Sequence, residues 1–268
     1  MKVDKWLASA TAELEEAGVS SARLDCLILL EDMLGKDRGW ILAHPETELN
    51  REQINKLSRQ VARRSRHVPM AQIRGFTEFY GRKFLINKYV LEPRPESETM
   101  IELLKILKLP KKPAIADVGT GSGALGITAA LEIPQAIVDL YDIDSNCLAV
   151  AKNNCALHEL RLHARKSNLL NRGLRSYDVV LANLPYVPDD WQINEAAAME
   201  PRIAIFGGKD GLDHYRRLFK QLRRQHQPPR FVLTEALPPQ HAQLASIAQE
   251  YAYQLRAHQD FIQVFVAD

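Results

Sequence analysis

The strongest constraint on the fold is a regular alternation of candidate strands and helical stretches that begins near residue 113. The candidate strands are 114–118, 136–142, 161–166, 177–183 and 230–235, and the fourth of them is an apolar run typical of a buried parallel strand. The stretches with helical periodicity between them are 123–132, 145–157, 211–225 and 239–250. This alternation predicts a parallel sheet with helices on both faces. Two later runs, 252–258 and 260–267, predict a terminal antiparallel hairpin.

The first part of the chain, residues 1–67, shows helical periodicity throughout. Asn50 followed by Gln53 has the form of a capping box. It predicts a helix from Arg51 to Arg66, and the last turns of this helix are rich in arginine. We interpret these arginines as a solvated face with favourable charge at a helix C-terminus. A partner-binding or RNA-binding patch is the alternative.

Residues 68–92 change character, because aromatic and apolar residues alternate with polar ones and two glycines interrupt the run. That pattern predicts a β-hairpin, which we expect to connect the helical part to the larger domain. Pro95, followed by acidic residues, then opens a helix that is predicted to end before Pro110. The expected organisation is a helical domain over 1–67, a hairpin connector over 68–92 and an α/β domain over 93–268.

The composition is that of an ordinary globular protein, with 46% hydrophobic and 25% charged residues. A formal net charge of +2 neither favours nor excludes a polyanionic partner. The three cysteines lack metal-type spacing and the eight histidines are scattered, so we expect no disulfide framework and no metal site. No run is long enough to span a membrane, and no signal-peptide core follows the N-terminus. A cytoplasmic protein is therefore expected.

A glycine-rich loop, Asp117-Val118-Gly119-Thr120-Gly121-Ser122-Gly123, joins the first predicted strand to the next helix. Glycines permit positive φ and let a ligand approach the backbone closely, and amides at a helix start favour an electron-rich group. The next predicted strand ends at Asp142, roughly 20 residues beyond the loop, where a carboxylate can accept both hydroxyls of a ribose. Two adenosine cofactors, NAD and S-adenosylmethionine, fit this arrangement.

Two further features favour methyl transfer. The Asp117 carboxylate would repel a diphosphate but can orient the ammonium group of S-adenosylmethionine. Asn183-Leu184-Pro185-Tyr186 follows the fourth predicted strand, at the edge where open α/β sheets bind ligands. An Asn carboxamide can orient a planar NH2 group and a Tyr ring can lie flat against it, whereas hydride transfer has no use for this tetrad. A simple turn after a strand is the alternative interpretation of these four residues.

These motifs resemble those of class I S-adenosylmethionine-dependent methyltransferases, and the tetrad is similar to the Asn-Pro-Pro-Tyr signature of enzymes that methylate a planar NH2 nitrogen. The whole chain more narrowly resembles the peptide chain release factor glutamine methyltransferases, the PrmC/HemK family. The stretches that carry this likeness are spread along the chain at 22–25, 75–81, 90–98, 200–204, 207–208, 210–213, Glu235 and Gln240.

The resemblance implies a Rossmann-like α/β sheet of seven strands preceded by a small helical domain. It implies methyl transfer from S-adenosylmethionine to the side-chain amide nitrogen of the glutamine in a release factor's Gly-Gly-Gln motif. By the same likeness the glycine loop would line the methionine and ribose, Asp142 would hold the ribose, and Asn168 and Leu169 would flank the adenine. The tetrad Asn183, Leu184, Pro185 and Tyr186 would hold the substrate glutamine, with Asn183 also near the cofactor.

Two positions depart from this family, which usually has proline in place of Leu184 and an acid in place of Asn168. The backbone carbonyl of residue 184 is expected to accept a hydrogen bond from the substrate amide beside the Asn183 side-chain oxygen. Leu184 keeps that carbonyl but lacks the fixed φ of proline, so some preorganisation is lost. Asn168 can still bond the adenine amine, although without charge assistance.

Two other functions stay open. Asn-Leu-Pro-Tyr is also the form found in ribosomal-RNA adenine dimethyltransferases, where a flipped base presents the same planar amine. That family, however, should not supply the N-terminal helical domain or the hairpin. A non-catalytic cofactor-binding scaffold is the second alternative, because of the departures at Leu184 and Asn168. The expected partner is a release factor as protein substrate, with no stable nucleic-acid contact, no membrane and a monomeric state.

Overall fold

The computed structural model describes residues 1–171, 173–193 and 198–268. Two compact units are distinguished among the described residues, one built from 1–75 with 198–199 and the other from 76–193 and 200–268. Within the described residues, no helix has the length and apolar character needed to cross a membrane.

The first unit is helical, as its periodicity predicted. Its helices are α1 (Val3–Glu16), α2 (Ala22–Leu34), α3 (Arg38–Ala43), α4 (Arg51–Arg64) and α5 (Met70–Arg74). The predicted capping box of α4 is confirmed, because the backbone N–H of Asn50 donates to Gln53 Oε1 and that of Gln53 to Asn50 Oδ1, both at 2.9 Å. The core of this unit includes Trp6, Leu14 and Leu57.

Arg64, at the end of α4, is not part of a solvated face, which corrects that interpretation for this residue. Its Nε donates to Asp25 Oδ2 of α2 at 2.7 Å, and the two side chains are only 14% and 6% exposed. Ser21 Oγ donates to the same carboxylate oxygen at 2.8 Å. Arg59, earlier on the same helix, is exposed. The arginine-rich end of α4 therefore contains one buried ion pair that joins two helices of this unit.

The second unit opens with a hairpin of β1 (Phe76–Phe79) and β2 (Arg82–Leu85). Its turn residues Tyr80 and Gly81 have φ of 53° and 66°, as a two-residue type I′ turn requires. The hairpin is shorter than the connector predicted over 68–92. The reason is that α5 is helical and buries Ile73 in the core of the first unit.

The other strands belong to one sheet, and they are β3 (Ala114–Val118), β4 (Ile137–Asp142), β5 (His163–Lys166), β6 (Val179–Ala182), β7 (Phe231–Glu235), β8 (Tyr253–Gln259) and β9 (Ile262–Ala267). This seven-stranded sheet has the order β5-β4-β3-β6-β7-β9-β8. The first five strands in this order are parallel, and β9 is antiparallel to both β7 and β8. The predicted parallel sheet and the predicted terminal hairpin are both confirmed.

The helices of the second unit are α6 (Glu98–Lys105), α7 (Ala124–Glu132), α8 (Ser145–Leu157), α9 (Arg202–Ile205), α10 (Asp213–Arg223) and α11 (His241–Glu250). A single 3-10 turn, Pro95–Ser97, precedes α6, which ends well before Pro110. Successive residues of β6 alternate between two cores, with Val179 and Leu181 in one and Val180 and Ala182 in the other. This alternation is what a sheet covered on both faces requires.

The pairing of β3 with β6 places the two motifs found in the sequence side by side. Asp117 is opposite Leu181 in this parallel pair. Continuing the same register beyond the strand ends brings Gly119 beside Asn183. The glycine loop and the tetrad are thus neighbours because their strands are neighbours.

Replacing Arg64 by alanine is expected to destabilise the first unit by about 3 kcal/mol, because it leaves the Asp25 carboxylate buried without its cation. Urea denaturation followed by the fluorescence of buried Trp6 measures this change. The matched control is Arg59→Ala on the exposed side of the same helix, expected to cost less than about 0.5 kcal/mol. Equal effects of the two substitutions would show that the Arg64–Asp25 pair contributes nothing specific.

Candidate functional site

A cavity of about 330 Å³ lies at the carboxyl ends of the central strands of the second unit. The predicted site residues that line it are Gly119, Thr120, Gly121, Ser122, Asp142, Asn168, Leu169, Asn183, Leu184 and Pro185. Three other predicted site residues, Asp117, Gly123 and Tyr186, are not in the lining. The fold therefore brings the glycine loop, the end of β4, the turn after β5 and the tetrad around one opening.

The glycine loop needs its glycines for their backbone and for space. Gly119, Gly121 and Gly123 have φ of 73°, 55° and 86°, values that other residues adopt only with strain. A Cβ on Gly119 would lie 2.8 Å from Leu184 Cδ2 and 3.8 Å from the Asn183 carbonyl oxygen. The loop is therefore packed directly against the tetrad.

Asp117 supports the loop from within the protein. It is 1% exposed, and its Oδ2 accepts hydrogen bonds from Thr120 Oγ1 at 2.5 Å and from the Gly126 N–H at 2.9 Å. Burial raises the pKa of this carboxyl to about 6. The expectation that Asp117 orients a cofactor ammonium stays a prediction, since the contacts that the structure shows for it hold the loop and the start of α7.

Asp142, at the end of β4, has both carboxylate oxygens hydrogen-bonded to backbone. Oδ2 accepts from the Gly121 N–H and Oδ1 from the Asp144 N–H, each at 2.9 Å. Burial raises the pKa of this carboxyl as well. Each oxygen of an ionised carboxylate can accept a second hydrogen bond, so Asp142 keeps acceptor capacity facing the cavity.

The turn after β5 is held by α10. Asn168 Oδ1 accepts from Arg217 Nη2 at 2.6 Å, and Arg217 also lines the cavity. Leu169 has a φ of 55°, and Gln221 fixes this strained turn by accepting from the Leu170 N–H at 2.9 Å. The side-chain oxygen that was expected to accept from an adenine amine is thus already bonded to a guanidinium, which the sequence did not reveal.

The Asn183 carboxamide has a defined orientation. Its Nδ2 donates to Ser97 Oγ and to Glu235 Oε2, both at 3.0 Å. These two bonds use both hydrogens of the NH2 group. Asn183 also lines the cavity, so its Oδ1 is the end of the carboxamide that remains to accept a hydrogen bond there.

Glu235, the last residue of β7, is a site residue whose role the sequence motifs did not predict. It is 1% exposed, and its carboxylate accepts from Ser97 Oγ at 2.5 Å, from Asn183 Nδ2 at 3.0 Å and from Tyr186 Oη at 3.0 Å. Burial raises the pKa of this carboxyl. The signal that could have found it is an acid at the end of an otherwise apolar strand, because parallel strand ends meet at one edge.

The backbone carbonyl of Tyr186 is held by residues that follow much later in the chain. Gln240 Nε2 donates to the Tyr186 carbonyl at 2.8 Å and to the Asp210 carbonyl at 2.8 Å. A Cβ on Gly211 would collide with the Tyr186 carbonyl oxygen. The Tyr186 hydroxyl is bound to Glu235 and its ring is outside the cavity lining, so stacking on a substrate amide stays a prediction.

A further buried acid holds another part of the cavity wall. Glu200 is 6% exposed, forms an ion pair with Arg94, and accepts from the Glu92 N–H at 3.1 Å. Arg94 and Glu92 both line the cavity, whereas Glu200 does not. Glu200 is therefore an anchor for the wall and does not form its surface.

Residues 5–75 match the family model described as "PrmC N-terminal domain", and residues 97–200 match "Methyltransferase small domain". The release factor glutamine methyltransferase of Koribacter versatilis is 36% identical over 233 residues, covering 85% of this chain and 83% of that protein. The protein of the same name from Deinococcus radiodurans is 31% identical over 263 residues, covering 97% and 95%. A solved methyltransferase structure from Pyrococcus furiosus shares the fold, with a TM-score of 0.53, 15% identity, and coverage of 80% of this chain and 98% of that one.

The raised pKa of Asp117 predicts a pH-dependent contribution to stability. Its folded value of about 6 exceeds the ordinary 3.8, so the folded protein binds this proton more tightly than the unfolded chain does. The stability contributed by protonated Asp117 is then fully present below about pH 4 and is lost as the pH rises to about 6. Above that pH the free energy of unfolding no longer changes through this group. In urea denaturation, Asp117→Asn should gain stability relative to wild type across this window. If the difference in unfolding free energy between Asp117→Asn and wild type did not change with pH, the raised pKa of Asp117 would be contradicted.

Proposed function

Because the chain belongs to the release factor glutamine methyltransferase family, we propose that it methylates the side-chain amide nitrogen of the glutamine in the Gly-Gly-Gln motif of a peptide chain release factor. It is a class I methyltransferase whose methyl donor is S-adenosylmethionine. The observation that carries the proposal is the orientation of Asn183, whose NH2 group is bound to Glu235 and Ser97. This leaves the carboxamide oxygen to accept from a substrate amide, on a residue that lines the same cavity as the glycine loop.

The cavity suits S-adenosylmethionine in three respects. The positive-φ glycines leave the backbone of the loop open to close approach. Asp142 retains acceptor capacity for ribose hydroxyls, and Leu169 with Ile143 offers apolar lining for a purine. The binding roles of these residues are proposals. When bound, the cofactor supplies an electrophilic methyl group on a sulfonium centre.

An amide nitrogen is a poor nucleophile because its lone pair is delocalised into the carbonyl. We propose that Asn183 Oδ1 and the backbone carbonyl of Leu184 accept the two hydrogens of the substrate NH2 group. These bonds orient the nitrogen toward the glycine loop. They also stabilise the positive charge that the nitrogen acquires as its bond to the methyl carbon forms and the sulfur–carbon bond breaks. The product nitrogen is then acidic enough to release its extra proton to water, so no strong base is required.

Glu235 decides which end of the Asn183 carboxamide meets the substrate. A carboxylate accepts hydrogen bonds and cannot donate them, so it binds the NH2 end and turns the oxygen toward the cavity. Were the amide reversed, two NH2 groups would face each other and no bond to the substrate would form. The raised pKa of Glu235 reflects the cost of burial, and three donors offset that cost.

We propose that the first unit, which matches the PrmC N-terminal domain, contributes to binding of the release factor. The reaction is proposed to take place in the cytoplasm, by a monomer that has no stable contact with nucleic acid. The alternative of a ribosomal-RNA methyltransferase rests on the tetrad and on the arginine-rich end of α4, and the match over residues 5–75 speaks against it.

The direct test offers labelled S-adenosylmethionine to the purified protein with a release factor, with ribosomal RNA, and alone. Label is expected only on the release factor, at the glutamine of its Gly-Gly-Gln motif, and a release factor with alanine at that position should take none. Label on RNA would support the alternative, and label on neither would support a non-catalytic scaffold.

Replacing Asn183 by alanine is expected to lower the single-turnover rate of methyl transfer by roughly 10²- to 10³-fold, by analogy with loss of one oxyanion-hole donor. The affinity for S-adenosylmethionine, measured by calorimetry, should change far less. The matched control is Asn153→Ala, on the exposed face of α8 and outside the cavity lining. A near-normal rate for Asn183→Ala would refute the proposed role of its side-chain oxygen.

Replacing Asn168 by aspartate is expected to tighten S-adenosylmethionine binding severalfold. A carboxylate offers one oxygen to Arg217 and the other to an adenine amine, with charge assistance for both. Calorimetric titration measures the change, and Asn153→Asp controls for the added negative charge. Unchanged or weaker binding by Asn168→Asp would count against placing the adenine at this turn.

A further inference from the structure

Leu184 makes a backbone hydrogen bond that proline could not make. Its N–H donates to Tyr215 Oη at 3.2 Å. Proline, the residue that the Asn-Pro-Pro-Tyr signature has at this position, has no N–H to donate. Leu184 is 2% exposed and Tyr215 is fully buried, so this bond is shielded from water. Leu184 thus makes a specific hydrogen bond that a proline at this position would lack.

The Tyr215 hydroxyl is itself held by the ends of two neighbouring strands. It donates to the backbone carbonyl of Glu235, the last residue of β7, and lies 3.2 Å from the carbonyl of Ala182, the last residue of β6. A hydroxyl has one hydrogen and two lone pairs, so it can donate to Glu235 while accepting from Leu184. The anchor for Leu184 therefore belongs to the rigid edge of the sheet.

Two other restraints act on the same residue. The Leu184 side chain fills the space under Gly119, where even a single added Cβ would lie 2.8 Å from Leu184 Cδ2. Pro185 follows, and a residue before proline is confined to extended backbone. Residue 184 is thus restrained at its N–H, at its side chain and at its peptide bond to Pro185. Its own backbone carbonyl therefore has little freedom to move.

We propose that Tyr215 is a positioning residue for methyl transfer, which holds the Leu184 carbonyl in place through the Leu184 N–H and so substitutes for the fixed φ of proline. Tyr215 is fully buried and outside the cavity lining, so its proposed role is exerted through Leu184. The inference rests on the proposed function, because that carbonyl is the second acceptor for the substrate amide.

The test is a double-mutant cycle of wild type, Tyr215→Phe, Leu184→Pro and the double variant, with single-turnover methyl transfer to a release factor as the readout. With Leu184 in place, Tyr215→Phe should lower the rate about tenfold, the effect expected of one lost buried hydrogen bond. When Leu184→Pro is already present, Tyr215→Phe should lower the rate less than about threefold, because the N–H that it would release is absent.

Equal slowing by Tyr215→Phe with and without Leu184→Pro would overturn the proposal, because the hydroxyl would then act through the strand ends alone. Should Tyr215→Phe fail to fold, Leu184 is replaced by its α-hydroxy analogue, which keeps the side chain and exchanges only the N–H for an ester oxygen. A rate loss of about tenfold is again expected. An unchanged rate would overturn the proposal.

Amide hydrogen exchange separates this inference from the proposed function, since it needs no substrate. The Leu184 amide should exchange at least about tenfold faster in Tyr215→Phe than in wild type, because its acceptor is gone. If wild type methylates no release factor but this acceleration is seen, the proposed function fails and the anchoring of Leu184 stands. If methylation occurs but Leu184 exchange is unchanged, the inference fails and the function stands.

Discussion

The site depends on one buried carboxylate, that of Glu235. An ionised carboxylate removed from water is costly unless donors surround it, and here Ser97, Asn183 and Tyr186 each supply one. These three donors come from two segments that are far apart in the chain, since Ser97 precedes α6 while Asn183 and Tyr186 belong to the tetrad. Satisfying one charge therefore also joins the start of α6 to the tetrad. The same charge sets the direction of the Asn183 carboxamide. A single electrostatic requirement therefore organises the substrate side of the cavity.

Buried acids hold the other walls in a similar way. Asp117 accepts from Thr120 and Gly126 and so fixes the glycine loop, while Glu200 binds Arg94 and the backbone of Glu92. In each case an acid outside the lining bonds to a segment that forms the lining or adjoins it. Loops carry the chemistry, but their positions are set by charges that cannot move without losing hydrogen bonds. The loops that line the cavity are therefore held in place by hydrogen bonds to buried acids, even where their own sequences are flexible.

The two acceptors proposed for the substrate amide are held by different devices at the same strand ends. The side chain of Glu235 orients Asn183, and its backbone carbonyl receives the Tyr215 hydroxyl that holds Leu184. The positions of both acceptors are thereby fixed relative to Glu235 at the end of β7. Relative displacement of Asn183 and Leu184 would require the neighbouring parallel strands β6 and β7 to shift, and their ladder resists that. Leucine in place of proline at position 184 therefore changes how the tetrad is held, while the backbone carbonyl of residue 184 is kept.

Local sequence was sufficient to predict the order of strands and helices, the glycine loop, the capping box of Asn50 and Gln53, and the nearness of the tetrad to the loop. These features depend on periodicity, on turn chemistry and on the general geometry of parallel sheets, which short stretches of sequence encode. The helix Met70–Arg74, the Arg64–Asp25 pair and the partners of Asn168, Asn183 and Leu184 could not be predicted in this way. Those partners lie dozens of residues away, and only packing brings them within hydrogen-bonding distance. The pairing of each buried polar group with its hydrogen-bond partner is therefore decided by the tertiary structure alone.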